Sequence, residues 1–88
     1  MECFKIICKT DNVAVALDDL KAHTFVDIGA STIEILNDIP FGHKFALCDI
    51  PVKGKVIKYC EEIGFASTNI KKGEHVHIHN LESTKAKR

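Results

Sequence analysis

The chain has no tryptophan, one methionine, one tyrosine and two prolines in 88 residues, and its formal net charge is zero. Each scarcity narrows the field. Twelve Lys+Arg against twelve Asp+Glu leave no basic excess for a nucleic-acid partner, which wants a basic face. The one basic cluster is Lys85, Lys87 and Arg88 at the C-terminus. No apolar run approaches the ~18 residues of a membrane span. The start, Met1-Glu2-Cys3-Phe4-Lys5, carries an acid and is not followed by the apolar stretch of a secretory signal, so a cytoplasmic protein is expected. The four cysteines, Cys3, Cys8, Cys48 and Cys60, include no C-x-x-C pair, which argues against a zinc knuckle. In that compartment they are expected as reduced, small buried hydrophobes. The five glycines are dispersed, so there is no phosphate loop. No Ser-His-Asp set can be assembled. Glu61 and Glu62 diverge on any regular element and make no catalytic dyad. A chain of this length forms one domain and buries only about 60–65% of its unfolded surface, too little to wall a deep active site by itself. Near-neutral charge favours association, in a complex or as a homo-oligomer.

What is present reads as short strands. Phe4, Ile6 and Cys8 share one face of a first strand. Asp11-Asn12 marks a turn, and Val13 to Leu17 is a strand that breaks at Asp18. Thr24–Ile28 and Ser31–Leu36 form a hairpin around Gly29-Ala30. Phe45–Cys48, Val56–Tyr59 and His75–His79 are further strands, whereas Glu61–Ala66 is ambiguous. The expected core draws on Phe4, Ile6, Val15, Ile33, Ile35, Leu47, Val56, Ile70, Val76 and Ile78, with no helix beyond about two turns.

A phrase recurs in the second half. Asp38-Ile39-Pro40-Phe41-Gly42 matches Asn69-Ile70-Lys71-Lys72-Gly73, and Asp49-Ile50-Pro51-Val52-Lys53-Gly54 is the same phrase with one residue added. Asp or Asn starts the turn, Ile plugs inward, and Gly takes a positive φ before the next strand. Three such corners imply short strands that change direction repeatedly.

The strongest chemical signal is His75-x-His77-x-His79. On a strand, Val76 and Ile78 face inward and three imidazoles stand outward in a row about 7 Å apart. His75 and His77 are a possible metal pair needing a third ligand, for which His43 is the candidate. The same row also reads as part of a shared substrate site, or as an exposed polar or subunit-contact face. In Gly42-His43-Lys44, the glycine lets backbone N–H groups approach an anion and Lys44 adds charge. On a strand His43 and Lys44 would point to opposite sides. Lys58-Tyr59 offers further polar contacts.

Four phrases carry a resemblance. Asp11-Asn12-Val13-Ala14-Val15-Ala16-Leu17, Gly42-His43-Lys44-Phe45-Ala46-Leu47-x-Asp49-Ile50, Gly54-x-Val56-Ile57-Lys58-Tyr59 and Gly73-Glu74-His75-Val76-His77-x-His79-Asn80 together resemble the N-terminal SAF domain of altronate and galactarate dehydratases. The resemblance spans about residues 4–81. It implies a mainly β, small β-clip fold over residues 1–81, with 82–88 as a flexible basic tail. It also implies a sugar-acid lyase activity that removes water, usually with a divalent metal such as iron, and a relative that eliminates sulfite from sulfolactate. In that family the catalytic and metal machinery belongs mainly to a large C-terminal region, a separate chain in some members. The expectation is a small subunit, not catalytic alone, that helps a large catalytic dehydratase subunit bind or enclose a sugar-acid substrate. The candidate site-completing residues are His43, Lys44, His75, His77 and His79. A stand-alone carbohydrate- or metal-binding module and the small subunit of a sulfolactate sulfo-lyase are the alternatives. Two departures stand out: Cys60 replaces a usual Gly after Lys-Tyr, and residues 20–40 match poorly.

Overall fold

Alternation along two central strands divides the core. In β2 (Val13–Ala16), Ala14 and Ala16 face one apolar cluster and Val13 the other. In β5 (Lys44–Ala46), Phe45 enters the first cluster and Ala46 the second. The two strands pair antiparallel, so each face of one short ribbon supports half the molecule. A computed structural model describes residues 3–29 and 31–83.

Those residues form nine short strands, and no helix occurs among them. Besides β2 and β5 they are β1 (Phe4–Lys5), β3 (Phe25–Asp27), β4 (Thr32–Glu34), β6 (Lys55–Lys58), β7 (Glu61–Ala66), β8 (His75–Val76) and β9 (Leu81–Ser83). One sheet runs β1-β2-β5-β8, a hairpin joins β3 and β4, and a third sheet runs β6-β7-β9. All pairings are antiparallel. The mainly β class is therefore as expected, and the ambiguous 61–66 stretch is the longest strand. The boundary expected after residue 81 falls inside β9, where Glu82 pairs with Phe65 and Ser83 with Gly64. The rest of the basic tail, 84–88, lies outside the described residues.

The recurring phrase is a fourfold corner. The fourth copy is Asp19-Leu20-Lys21-Ala22-His23. In each copy the backbone N–H of the residue after the positive-φ position donates three residues back: Thr24 to Lys21 (3.3 Å), His43 to Pro40 (2.9 Å), Gly54 to Pro51 (2.8 Å) and Glu74 to Lys71 (2.9 Å). The positive-φ residues are His23 (74°), Gly42 (86°), Lys53 (71°) and Gly73 (88°). The third copy thus has no inserted residue; Lys53, not Gly54, takes the left-handed slot. The corners interlock in pairs through the bridges Leu20–Ile39 and Ile50–Ile70. Each acidic or amide side chain caps the opposite corner. Asp19 accepts from Phe41 N–H, Asp38 from Ala22, Asp49 from Lys72 and Asn69 from Val52, at 2.8–2.9 Å. The plugs Ile39, Ile50 and Ile70 are at most 2% exposed.

Ile33, Ile35, Val56, Ile70 and Val76 are buried as expected, while Phe4, Ile6, Val15 and Leu47 are half-buried. Ile78 is the correction: it is 85% exposed. A second correction concerns the thiols. Cys8 and Cys60 are joined by a disulfide across 52 residues, with Cα atoms 5.4 Å apart. Cys3 and Cys48 are free. Asp11 organises this crosslink, its carboxylate accepting from Ile7, Cys8 and Cys60 N–H at 2.8–3.2 Å. Burial alone would raise the Asp11 pKa, but the backbone donors of Cys60, Cys8, Ile7 and Tyr59 outweigh it and hold it below the usual value.

Candidate functional site

The expected five-residue histidine strand is cut to two residues by a side chain. Asn80 is 1% exposed. Its Oδ1 accepts from His77 N–H (3.0 Å), while its Nδ2 donates to the His75 carbonyl (2.9 Å) and the Glu74 carboxylate (3.3 Å). Its own N–H donates to the His77 carbonyl (3.1 Å), closing a turn. An asparagine that satisfies the backbone locally competes with a strand ladder, so pairing stops after Val76. Ile78 is carried to the turn's tip and outward. His77 leaves the row and folds back toward His43.

The imidazoles therefore cluster instead of lining up. The His43 and His77 ring centroids are 4.3 Å apart, His43 and His75 5.1 Å, and His75 and His77 5.5 Å, all three pairs stacked. His43 Nδ1 lies 2.9 Å from His75 Nε2, so one of these nitrogens carries the shared proton. One ring nitrogen from each of His43, His75 and His77 lies within 4.8 Å of the others. His79 is exposed, with its ring 5.5 Å from His75, and stands outside this triad.

Two corner glycines set the backbone that delivers these side chains. Gly42 turns the chain into His43 and Lys44, and Gly73 turns it into β8. A Cβ on Gly73 would collide with the Glu34 carbonyl oxygen, so this corner requires glycine for space as well as for φ. The anion nest expected at Gly42-His43 is not available. Gly42 N–H donates to Ala16 (2.8 Å) and His43 N–H to Pro40 (2.9 Å). Those donors are spent inside the fold, which leaves side chains to meet a ligand.

Lys44 is half-buried, and burial first, then the Lys58 ammonium, lowers its pKa. As expected for a strand, His43 and Lys44 take opposite sides: His43 stacks on His75, whereas Lys44 lies opposite Val76. Burial lowers the pKa of His75, and His43, His79, His77 and Lys44 push it the same way. His77 is lowered by burial, then by His43, Lys44 and His79. At neutral pH these two rings are neutral and offer lone pairs. Every group acting on them is basic. The structure thus brings His43, His75 and His77 together, with His79 at the edge, and does not join Lys44 to them: Lys44 lies opposite Val76 in the β5–β8 pairing, on the sheet face of Ala46. Sequence reasoning missed Asn80 as the positioning residue and Asn37, whose Oδ1 accepts from His75 N–H at 3.0 Å. An open cleft of about 730 Å³ lies elsewhere, lined by Cys3, Phe4, Ile6 and residues 25–29, and no histidine borders it.

The described residues thus form a small β-domain that gathers three imidazoles on one surface. Its family follows from comparison with known proteins: the chain belongs to the altronate/galactarate dehydratase SAF domain family, whose model matches residues 3–84. It is 50% identical over 73 residues to altronate dehydratase of Escherichia coli, covering 83% of this chain and 15% of that enzyme. It is 40% identical over 83 residues to altronate dehydratase of Bacillus subtilis, covering 94% of this chain and 17% of that enzyme. A third relative is the (2R)-sulfolactate sulfo-lyase subunit alpha of Chromohalobacter salexigens. It is 44% identical over 50 residues, 57% of this chain and 53% of that subunit. The chain therefore spans about one-sixth of the length of the dehydratases it matches.

Proposed function

We propose that this domain works with a large dehydratase chain and completes its site for a sugar acid, with His43, Lys44, His75 and His77 meeting the substrate and His79 at the rim. The observation that carries this reading is the convergence of three imidazoles on one face, where the charged groups felt by His75 are basic. Such a face suits a carboxylate flanked by hydroxyls.

Removing water beside a carboxylate needs a base for the α-proton, an acid for the leaving hydroxyl and positive charge near the developing enediolate. His75 and His77, held neutral, have the protonation state of a base. Lys44, half-buried and adding a positive charge, is the candidate to hold the carboxylate. The Asn80 and Asn37 hydrogen bonds fix the backbone from which the imidazoles reach substrate. Nitrogen donors of this kind suit iron, zinc or nickel better than magnesium or calcium. The divalent metal that the sequence resemblance implies would be held mainly by the large chain, where it would polarise a substrate oxygen.

Support for a large partner comes from the length relation: the matched dehydratases are about six times longer than the matched region. Affinity purification of the native chain followed by identification of what accompanies it tests this. Recovery of a large dehydratase chain, with turnover of altronate or galactarate by the pair and not by this chain alone, is the expected result. Turnover by the isolated 88-residue chain would overturn the division of labour. The match to a sulfo-lyase subunit alpha supports a second reading, elimination of sulfite from sulfolactate, which the same assay resolves by product. Saturable sugar-acid binding without any lyase partner would instead indicate a stand-alone binding module.

A further inference from the structure

We propose that His43, His75 and His77 form a three-imidazole site for a divalent transition-metal cation within this chain.

Geometry carries the metal site. Three neutral imidazoles bound to zinc at about 2.0–2.1 Å leave donor nitrogens roughly 3.3 Å apart in a tetrahedral arrangement. Here the His43–His75 contact is 2.9 Å and all donor separations lie within 4.8 Å. Coordination requires the rings to rotate out of the present stack so that the three lone pairs converge. The two backbone segments that carry His75 and His77 are fixed. His75 N–H is tied to Asn37, and His77 N–H to the buried Asn80. The nitrogen pair that now shares a proton is the pair a metal would join. When both rings are neutral, one ring switches tautomer and no net proton is released. His75 and His77 are only half-buried, so the coordination sphere stays open on the solvent side. A three-histidine set with an open position is the arrangement of catalytic sites, not of closed structural ones.

The test is a Co²⁺ titration of the untagged full-length chain, followed by visible absorption, with circular dichroism to show that each variant is folded. One saturable equivalent is expected. His43→Ala, His75→Ala and His77→Ala should each weaken Co²⁺ by at least the roughly 10–100-fold that losing an outer-shell partner costs. His79→Ala and His23→Ala should leave it unchanged. If an alanine variant fails to fold, the rise in melting temperature that Co²⁺ gives the native chain, absent in folded His77→Gln, provides the same readout. Equal Co²⁺ affinity in native and triad variants would overturn the metal site. That result does not touch the substrate-completing role, which is read by turnover of the reconstituted pair.

Discussion

His43 Nδ1 lies 2.9 Å from His75 Nε2 although 32 residues separate them. One corner delivers each residue: Gly42 turns the chain into His43, and Gly73 turns it toward His75. The site is thus a product of the repeated corner. Gly73→Ala should be far more damaging than Gly42→Ala. Both need a positive φ, but only at residue 73 does a Cβ strike backbone. Thermal melts should show Gly42→Ala losing about 1–2 kcal/mol and Gly73→Ala more than that. Equal losses would mean the crowding at Glu34 is easily relieved.

Asn80 is the residue on which the histidine turn depends. Asn80→Ala strands the His77 N–H and the His75 carbonyl, and should cost roughly 2–3 kcal/mol. Asn80→Asp should not rescue it, because a carboxylate cannot donate to the His75 carbonyl and repels Glu74. Denaturant titration of both variants checks this. Native stability in Asn80→Ala would show that the turn persists without its amide.

The Cys8–Cys60 crosslink closes a 52-residue separation. Reduction by a small thiol should lower stability by about 2–4 kcal/mol, mostly through the freed unfolded chain. The structure ties the same region through Asp11 and through Asn12, whose side chain pairs with Ile57 N–H (2.7 Å) and the Lys55 carbonyl (2.8 Å). The reduced protein should therefore keep its fold. Comparing urea midpoints of oxidised and reduced protein measures the difference.

Asp11 gives the fold an acid limit. Its folded pKa lies below the usual carboxylate value, so its contribution is fully present above that value and is lost as pH falls through the folded one. Melting temperature should drop as pH is lowered below about 4. Asp11→Asn should be less stable at neutral pH, since its amide group opposes N–H donors, yet should lose less on acidification. An unchanged acid slope in that variant would place the acid limit elsewhere.

The sequence made the fold class and the chemistry-bearing residues legible for physical reasons. Alternation at Val13–Ala16 and at 55–58 marked strands, and Asp/Asn-Ile phrases marked corners. The first corner escaped notice because His23 stands where the others have Gly or Lys, and a positive φ at histidine leaves no compositional trace. Period two placed Val76 inside correctly but failed at Ile78, because the Asn80 amide ends the strand three residues before its own position. The same turn converts a row of histidines into a cluster. His43 was recognisable as a third donor, yet only the packed corners show that it meets His75 and His77. The disulfide was hidden for a related reason: a contact across 52 residues has no local pattern.

The central claim, that the His43–His75–His77 cluster completes a sugar-acid lyase site, is tested most directly by His77→Ala in the reconstituted pair, with melting temperature and turnover measured on the same sample. His77 is half-buried and its imidazole stacks without filling the apolar core, so stability should change by no more than about 0.5 kcal/mol. Turnover of altronate or galactarate should fall tenfold or more, roughly the scale of one lost acid–base or charge-stabilising group. Unchanged melting together with full turnover would contradict the account.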